Sequence, residues 1–185
     1  MAIANKEIKR LPRNVIYSNK SSISPDIDAP TKTETILLCL DGPRTADTAL
    51  PYIENHISSL PPEIKAKVYL FQVITETTRY KVVDGAVTTT PYTEDEIRQM
   101  KNRAANYLNQ IGDPLRNMGA TVIAKVAINT NVSREIVKTA KKINAGLIII
   151  FSQKRSWLSR LLFGSVSDKV VRLEDKIPIT VIQAG

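Results

Sequence analysis

Gly164 and Ser165 lie near the end of the stretch FSQKRSWLSRLLFGSV, residues 151–166, and open a helical pattern. A helix start carries unpaired backbone N–H groups and the positive end of the helix dipole, so a Gly-Ser there suits an anion such as phosphate. Phe151 and Lys154 stand at the other end of the stretch, where a tight anion-binding loop needs bare backbone. Glycine serves in such loops because it lacks a Cβ and tolerates positive φ. A phenylalanine would instead fill the space. Lys154 reads two ways, as an ammonium replacing a lost N–H contact or as a solvated loop residue. Ser165 with Asp168 also makes a capping pair that needs no ligand.

Other residues with chemistry to offer are few. Asp41 ends an apolar run, where it needs hydrogen bonds to be kept; it either faces a ligand or caps the following turn. Cys39, inside the same run, reads as a small buried hydrophobe rather than a nucleophile. His56 is the only histidine and sits on a helix with no cysteine or carboxylate at ligand spacing. One histidine and one cysteine make neither a metal cluster nor a Cys-His or Ser-His arrangement, so no enzyme is expected. Slow nucleotide hydrolysis would need a magnesium site, for which Asp41 is the one suggestive acid. The segment KRSWLSRLLF mixes Lys154, Arg155 and Arg160 with Trp157 and leucines, a pattern able to dock on a membrane surface or a partner.

These residues are positioned by alternating strand and helix patterns. TILLCLDG is a continuous apolar run ended by Asp-Gly, as expected of a strand buried on both faces of a parallel sheet. A helix follows over about 45–59, with Pro51 inside it. KVYLFQVIT is the second strand, and YKVVDGAVTT carries Asp84-Gly85 between two β-prone stretches, a hairpin signal. Thr93 and Glu96 form a capping-box pattern, after which Ile97, Met100, Ala104, Tyr107, Leu108, Ile111 and Leu115 recur at helical spacing. Gly112-Asp113-Pro114 should kink that helix and Gly119 should stop it. ATVIAKVAI, LIIIF and IPITVIQ are three more strands, separated by a helix whose buried stripe is Ile136, Val137, Ala140 and Ile143 and which Gly146 ends, and by a helix from Gly164 to about Glu174. Short links and right-handed crossovers make this a doubly wound, Rossmann-like α/β sheet. In such sheets ligands bind beyond the carboxyl ends of the strands, where Asp41, Val73 and the 151–165 loop converge. A valine ending a buried strand is also ordinary core.

The full chain of 185 residues reads as one α/β domain over 34–185 behind a flexible extension over 1–33. That extension is polar, broken by Pro12, Pro25 and Pro30, and able to tack down locally through Val15, Ile16 and Tyr17. No apolar stretch approaches the roughly 18–20 residues that span a bilayer, and MAIANKEIKRLPRN lacks the apolar core of a signal peptide. A cytoplasmic location is expected, in keeping with a single cysteine. The net charge of +8 favours encounters with anions. The basic residues are scattered, however, and aromatics are only 5% of the chain, which argues against nucleic acid as the main partner.

TILLCLDGPRTADTALPYI, NVSREIVKTAKKINAGLIII and SRLLFGSVSDKVVRLEDKIPITVI together resemble the universal stress protein domain, over about residues 35 to 183. The resemblance implies a five-stranded parallel sheet of order 3-2-1-4-5, usually a dimer, and no covalent chemistry general to the family. Many members bind ATP through a loop written G-x2-G-x9-G-S/T. Here the last pair falls on Gly164 and Ser165, and the first two glycine positions fall on Phe151 and Lys154. Asp41 matches the strand-end acid that contacts the nucleoside, and Val73 matches a position that packs on the base. The basic leucine-rich segment packs as part of the loop in that family, which leaves Trp157 without a role.

Two readings follow from the resemblance. In one the protein is a dimeric regulatory module of stress response that meets an unidentified protein partner and has a degenerate crevice, with no cofactor or only weakly bound ATP. In the other it is an ATP-binding switch in which Lys154 and the Gly164-Ser165 helix start hold the phosphates. The strand order also implies that IPITVIQ lies at a sheet edge. With β-branched residues and Pro178 only at its start, that edge lacks the usual protection. A homodimer through residues 178–183 is therefore expected, with Ile179 and Val181, or Thr180 and Ile182, meeting across a two-fold axis.

Overall fold

A computed structural model describes residues 15–18, 32–83, 86–153 and 165–184. The run TETILLC forms strand β2 (Thr33–Cys39), after β1 (Val15–Ser18), because its apolar side chains can be buried on both faces at once. Ile36 and Leu38 point into one core cluster and Leu37 and Cys39 into the other. Strands β3 (Lys65–Ile74), β6 (Thr121–Ile128), β7 (Leu147–Gln153) and β8 (Ile179–Ala184) lie in the same sheet. These five strands are all parallel and ordered β6-β3-β2-β7-β8, which is 3-2-1-4-5 counted from β2.

Helices cover both faces. Ala49 and Ile53 of α1 (Pro43–Ser59), Leu108 of α2 (Glu94–Ile111) and Leu115 of α3 (Asp113–Asn117) close one cluster. Ile136, Val137 and Ala140 of α4 (Val132–Lys142) and Val170 of α5 (Ser165–Leu173) close the other. The expected capping box is present: Glu96 N–H donates to Thr93 Oγ1 at 3.3 Å and Thr93 N–H donates to Glu96 Oε2 at 2.8 Å. The break after α2 falls at Gly112, where a Cβ would come within 2.8 Å of Val122 Cγ1, so only glycine lets the helix end press onto β6. Between β3 and α2 the chain makes an antiparallel pair, β4 (Thr78–Val83) with β5 (Ala86–Pro91). The Asp84-Gly85 turn proposed to join them lies outside the described residues.

Two expectations about the sheet edge are corrected. The extension is tacked down through Val15, Ile16 and Tyr17, as their pattern allowed, but as a strand rather than as flexible chain: residues 15–18 form β1, which pairs antiparallel with β8 from Val15 opposite Ile182 to Ser18 opposite Ile179. The β8 edge is therefore not an open row of N–H and C=O groups, since a segment far away in sequence satisfies it. Nor are the β8 side chains available to meet across an axis. Ile179, Thr180, Val181 and Ile182 are all at most 4% exposed, because both faces of an edge strand in this layered fold lie under helices. Among the described residues no helix is long and apolar enough to cross a membrane.

Candidate functional site

At the carboxyl end of β2 the chain must turn sharply into α1, and Gly42 makes the turn at φ 147°, ψ −173°, a conformation almost confined to glycine. Thr45, 1% exposed, clamps it: its hydroxyl donates to the Gly42 carbonyl at 2.7 Å and accepts from the Asp41 N–H at 3.2 Å. Leu40 N–H donates to the Phe71 carbonyl at 2.8 Å, which ties the turn to β3. Asp41 is thus held at an exposed strand end by backbone contacts.

The end of β3 lies beside it. Asp41, Gln72, Val73, Ile74, Thr75 and Glu76 form one wall of an open crevice of about 360 Å³, and Met100, Arg103 and Ala104 of α2 form the other. That volume falls within the range of small-molecule sites. The two residues proposed from the strand ends, Asp41 and Val73, are brought together. Arg103 was missed; its signal was its place at i+3 from Met100, on the shoulder of the apolar stripe of α2. Among the charged residues of this lining are two carboxylates, Asp41 and Glu76, and one guanidinium, Arg103. Apolar Val73, Ile74, Met100 and Ala104 can pack a flat ring, and the polar side chains can meet hydroxyl or amine groups. The charge balance does not by itself draw in a polyphosphate.

The start of the 151–165 stretch is strand rather than open loop. Phe151 is 8% exposed and packs in the α1/α2 core cluster with Leu38, Ile149 and Ile182. The backbone from Phe151 to Gln153 continues β7 and pairs with Ile182, Gln183 and Ala184 of β8. Ser165 is exposed at the first position of α5, and Asp168 accepts from Arg172 Nε at 2.9 Å, four residues on. Lys154, Gly164 and the basic segment with Trp157 lie outside the described residues.

The remaining candidates have structural surroundings. Cys39 is buried, and burial pushes its thiol far above the ordinary range, which leaves it unreactive. His56 does meet a carboxylate, contrary to its spacing in the sequence. Its Nε2 lies 3.2 and 3.3 Å from the two oxygens of Glu34, which β2 brings alongside α1. No group of three or more His, Cys, Asp or Glu side chains able to hold a metal occurs among the described residues.

Comparison with solved structures returns the same architecture. A universal stress protein from Archaeoglobus fulgidus aligns at 20% identity and a TM-score of 0.52 over 82% of this chain; the chain spans only 44% of that protein. A hypothetical protein whose biochemical function was assigned from its structure aligns at 24% identity and a TM-score of 0.56, over 85% of this chain and 99% of its own. A universal stress protein family member from Burkholderia pseudomallei aligns at 18% identity and a TM-score of 0.52, over 82% and 96%. At these identities the likeness shows the fold alone. No curated protein sequence matches significantly. The family model described as the universal stress protein family matches residues 32–182, nearly the whole parallel sheet with its helices. This chain belongs to the universal stress protein family.

Proposed function

We propose that the protein is a regulatory module of stress response that works by meeting partners rather than by covalent chemistry, in a cytoplasmic setting, and that its crevice binds ATP weakly or not at all. The observation that carries this reading is Phe151. Where the ATP-binding loop has its first glycine, this chain has a core phenylalanine, and its backbone there runs on as strand paired with β8. N–H groups engaged in a ladder, beneath a ring the size of a phosphate group or larger, make a poor cradle. Asp41 and Glu76 in the crevice add repulsion toward a polyanion.

The test is calorimetric titration with ATP and magnesium, joined by mass analysis of nucleotide carried through purification. Negligible heat and no retained nucleotide are expected. A dissociation constant in the low micromolar range or tighter would overturn the reading in favour of an ATP switch. Arg103 on the crevice wall supports that second reading, because its guanidinium can hold a phosphate in a bidentate contact alongside Lys154 and the Gly164-Ser165 helix start. Loss of ATP binding in Arg103→Ala would then mark the contact. A homodimer through residues 178–183 belongs to the first reading only in a state where β1 has left the edge.

A further inference from the structure

Helices α4 and α5 pack over β2, β7 and β8 through residues such as Leu37, Ile148 and Val181. The strand at the far side of the sheet, β6, takes its helical cover on the opposite face, where Val122, Ala124 and Val126 meet the α1/α2 cluster. Side chains alternate along a strand, so the other face of β6 and its neighbour β3 carries Lys67, Tyr69, Ile123 and Lys125. Tyr69 lies opposite Ile123, and Lys67 and Lys125 flank that pair. All four residues are half-buried, and Lys67 Nζ lies 5.5 Å from the centre of the Tyr69 ring. Exposed Lys65 continues the same face. Neither β3 nor β6 contains an aspartate or glutamate, and among the described residues none of these lysines is paired with a carboxylate. This face is basic and apolar without an acid of its own.

Among the described residues β6 is also the outermost strand on this side. Asn129 N–H donates to the Ile74 carbonyl at 3.1 Å, and Ile74 lies opposite Ile128. In a regular parallel ladder that phase turns the odd-numbered residues of β6 toward β3, so the N–H and C=O groups of Val122, Ala124 and Val126 face outward.

We propose that the β6 edge takes an extended acidic segment of a partner protein as an added strand, with two carboxylates four residues apart on one face and an apolar side chain between them. One carboxylate meets Lys125, the other meets Lys67 across the short Thr121, and the apolar side chain packs on Ile123. The spacing matches, since Thr121 and Lys125 are four strand positions apart, roughly 13 Å. A second copy of this chain fits poorly: its β6 brings another lysine and no acid to meet these. Nucleic acid fits poorly as well, because one tyrosine is no stacking platform and a row of alternating donors and acceptors suits a peptide backbone. The proposal gives the partner a chemistry, and so rests on the reading that the protein works by meeting partners.

The test follows amide shifts of the full chain during titration with a capped peptide, TETVTETV, and with its lysine counterpart, TKTVTKTV. The acidic peptide should move the amides of 121–128 and weaken with salt, and the lysine peptide should bind at least about tenfold more weakly. Lys125→Glu should exchange the preference between the two. Ala124→Pro, which removes an outward donor and none from the β3 ladder, should abolish binding. No binding at about 1 mM acidic peptide overturns the proposal. So do equal binding of the two peptides, shifts confined to another surface, or an unchanged preference in Lys125→Glu, whether or not Ala124→Pro folds. Tighter binding of oligothymidine at the same amides overturns it in favour of nucleic acid. Titration with ATP reads only the crevice, so the failure of either reading is seen separately.

Discussion

Phe151 of β7 lies directly opposite Ile182 of β8, and both side chains enter the same core cluster between the sheet and the α1/α2 layer. Phe151 is thus part of what holds β7 and β8 together. Phe151→Ala is expected to lower stability by about 3–5 kcal/mol, the usual cost of emptying a buried aromatic site. Urea unfolding measures it. A loss under about 1 kcal/mol would place the ring in the crevice rather than the core.

Glu174 links the end of α5 to the start of β8. It is 1% exposed, and its Oε1 accepts from the N–H groups of Lys176 at 2.9 Å and Ile177 at 3.1 Å, while Lys141 Nζ lies 3.1 Å from Oε2. Burial works to raise its pKa, but these hydrogen bonds and the Lys141 ammonium hold it below the ordinary glutamate value of 4.5. Glu174→Ala should cost about 1–3 kcal/mol by removing a charged acceptor from the partly buried N–H groups of Lys176 and Ile177. Because the folded pKa is depressed, the charged form's share of that stability is present above about pH 4.5 and is lost as pH falls through the lower folded value. Unfolding free energies of wild type and mutant should therefore converge on acidification; a constant gap would refute the assignment.

At the start of α2 the carboxylate of Glu96 closes the capping box with Thr93 and is paired with Arg79 of β4, whose guanidinium also lies 5.9 Å from the Tyr92 ring. Thr93 holds the Glu96 carboxyl below its ordinary value, chiefly through its backbone N–H, with Arg79 adding to the effect. Thr93→Ala should cost about 1 kcal/mol. Hydrogen exchange should quicken in the first turn of α2 while β6 and β7 remain protected. Uniform acceleration across the sheet would mean that the cap does more than anchor one helix end.

Gly42→Ala is expected to destabilise by about 1–3 kcal/mol even though a Cβ there would meet nothing within 4 Å, because the cost lies in the backbone conformation. Amide shifts of Asp41 and Thr45 should move with it, since both take part in the same turn. An unchanged midpoint in thermal unfolding would show that the turn relaxes at no cost.

The sequence by itself determined the five parallel strands, the helices and the convergence of Asp41 with Val73, because these follow from local signals. Apolar runs such as TILLCL can be buried only inside a sheet, three- and four-residue spacing can form only a helix face, and alternation of the two leaves strand ends on one side. The tertiary structure decided what depends on pairing across distance. Four residues, VIYS, carry too little pattern to announce an edge strand, and their choice of β8 rests on which edge was left unsatisfied. Arg103 became a crevice residue only once α2 had docked beside β3, and His56 found Glu34 only once β2 and α1 were packed. The place of Phe151 in the core, rather than in a ligand's space, was likewise set by the helices above it, since a strand residue's type does not say which volume its side chain fills.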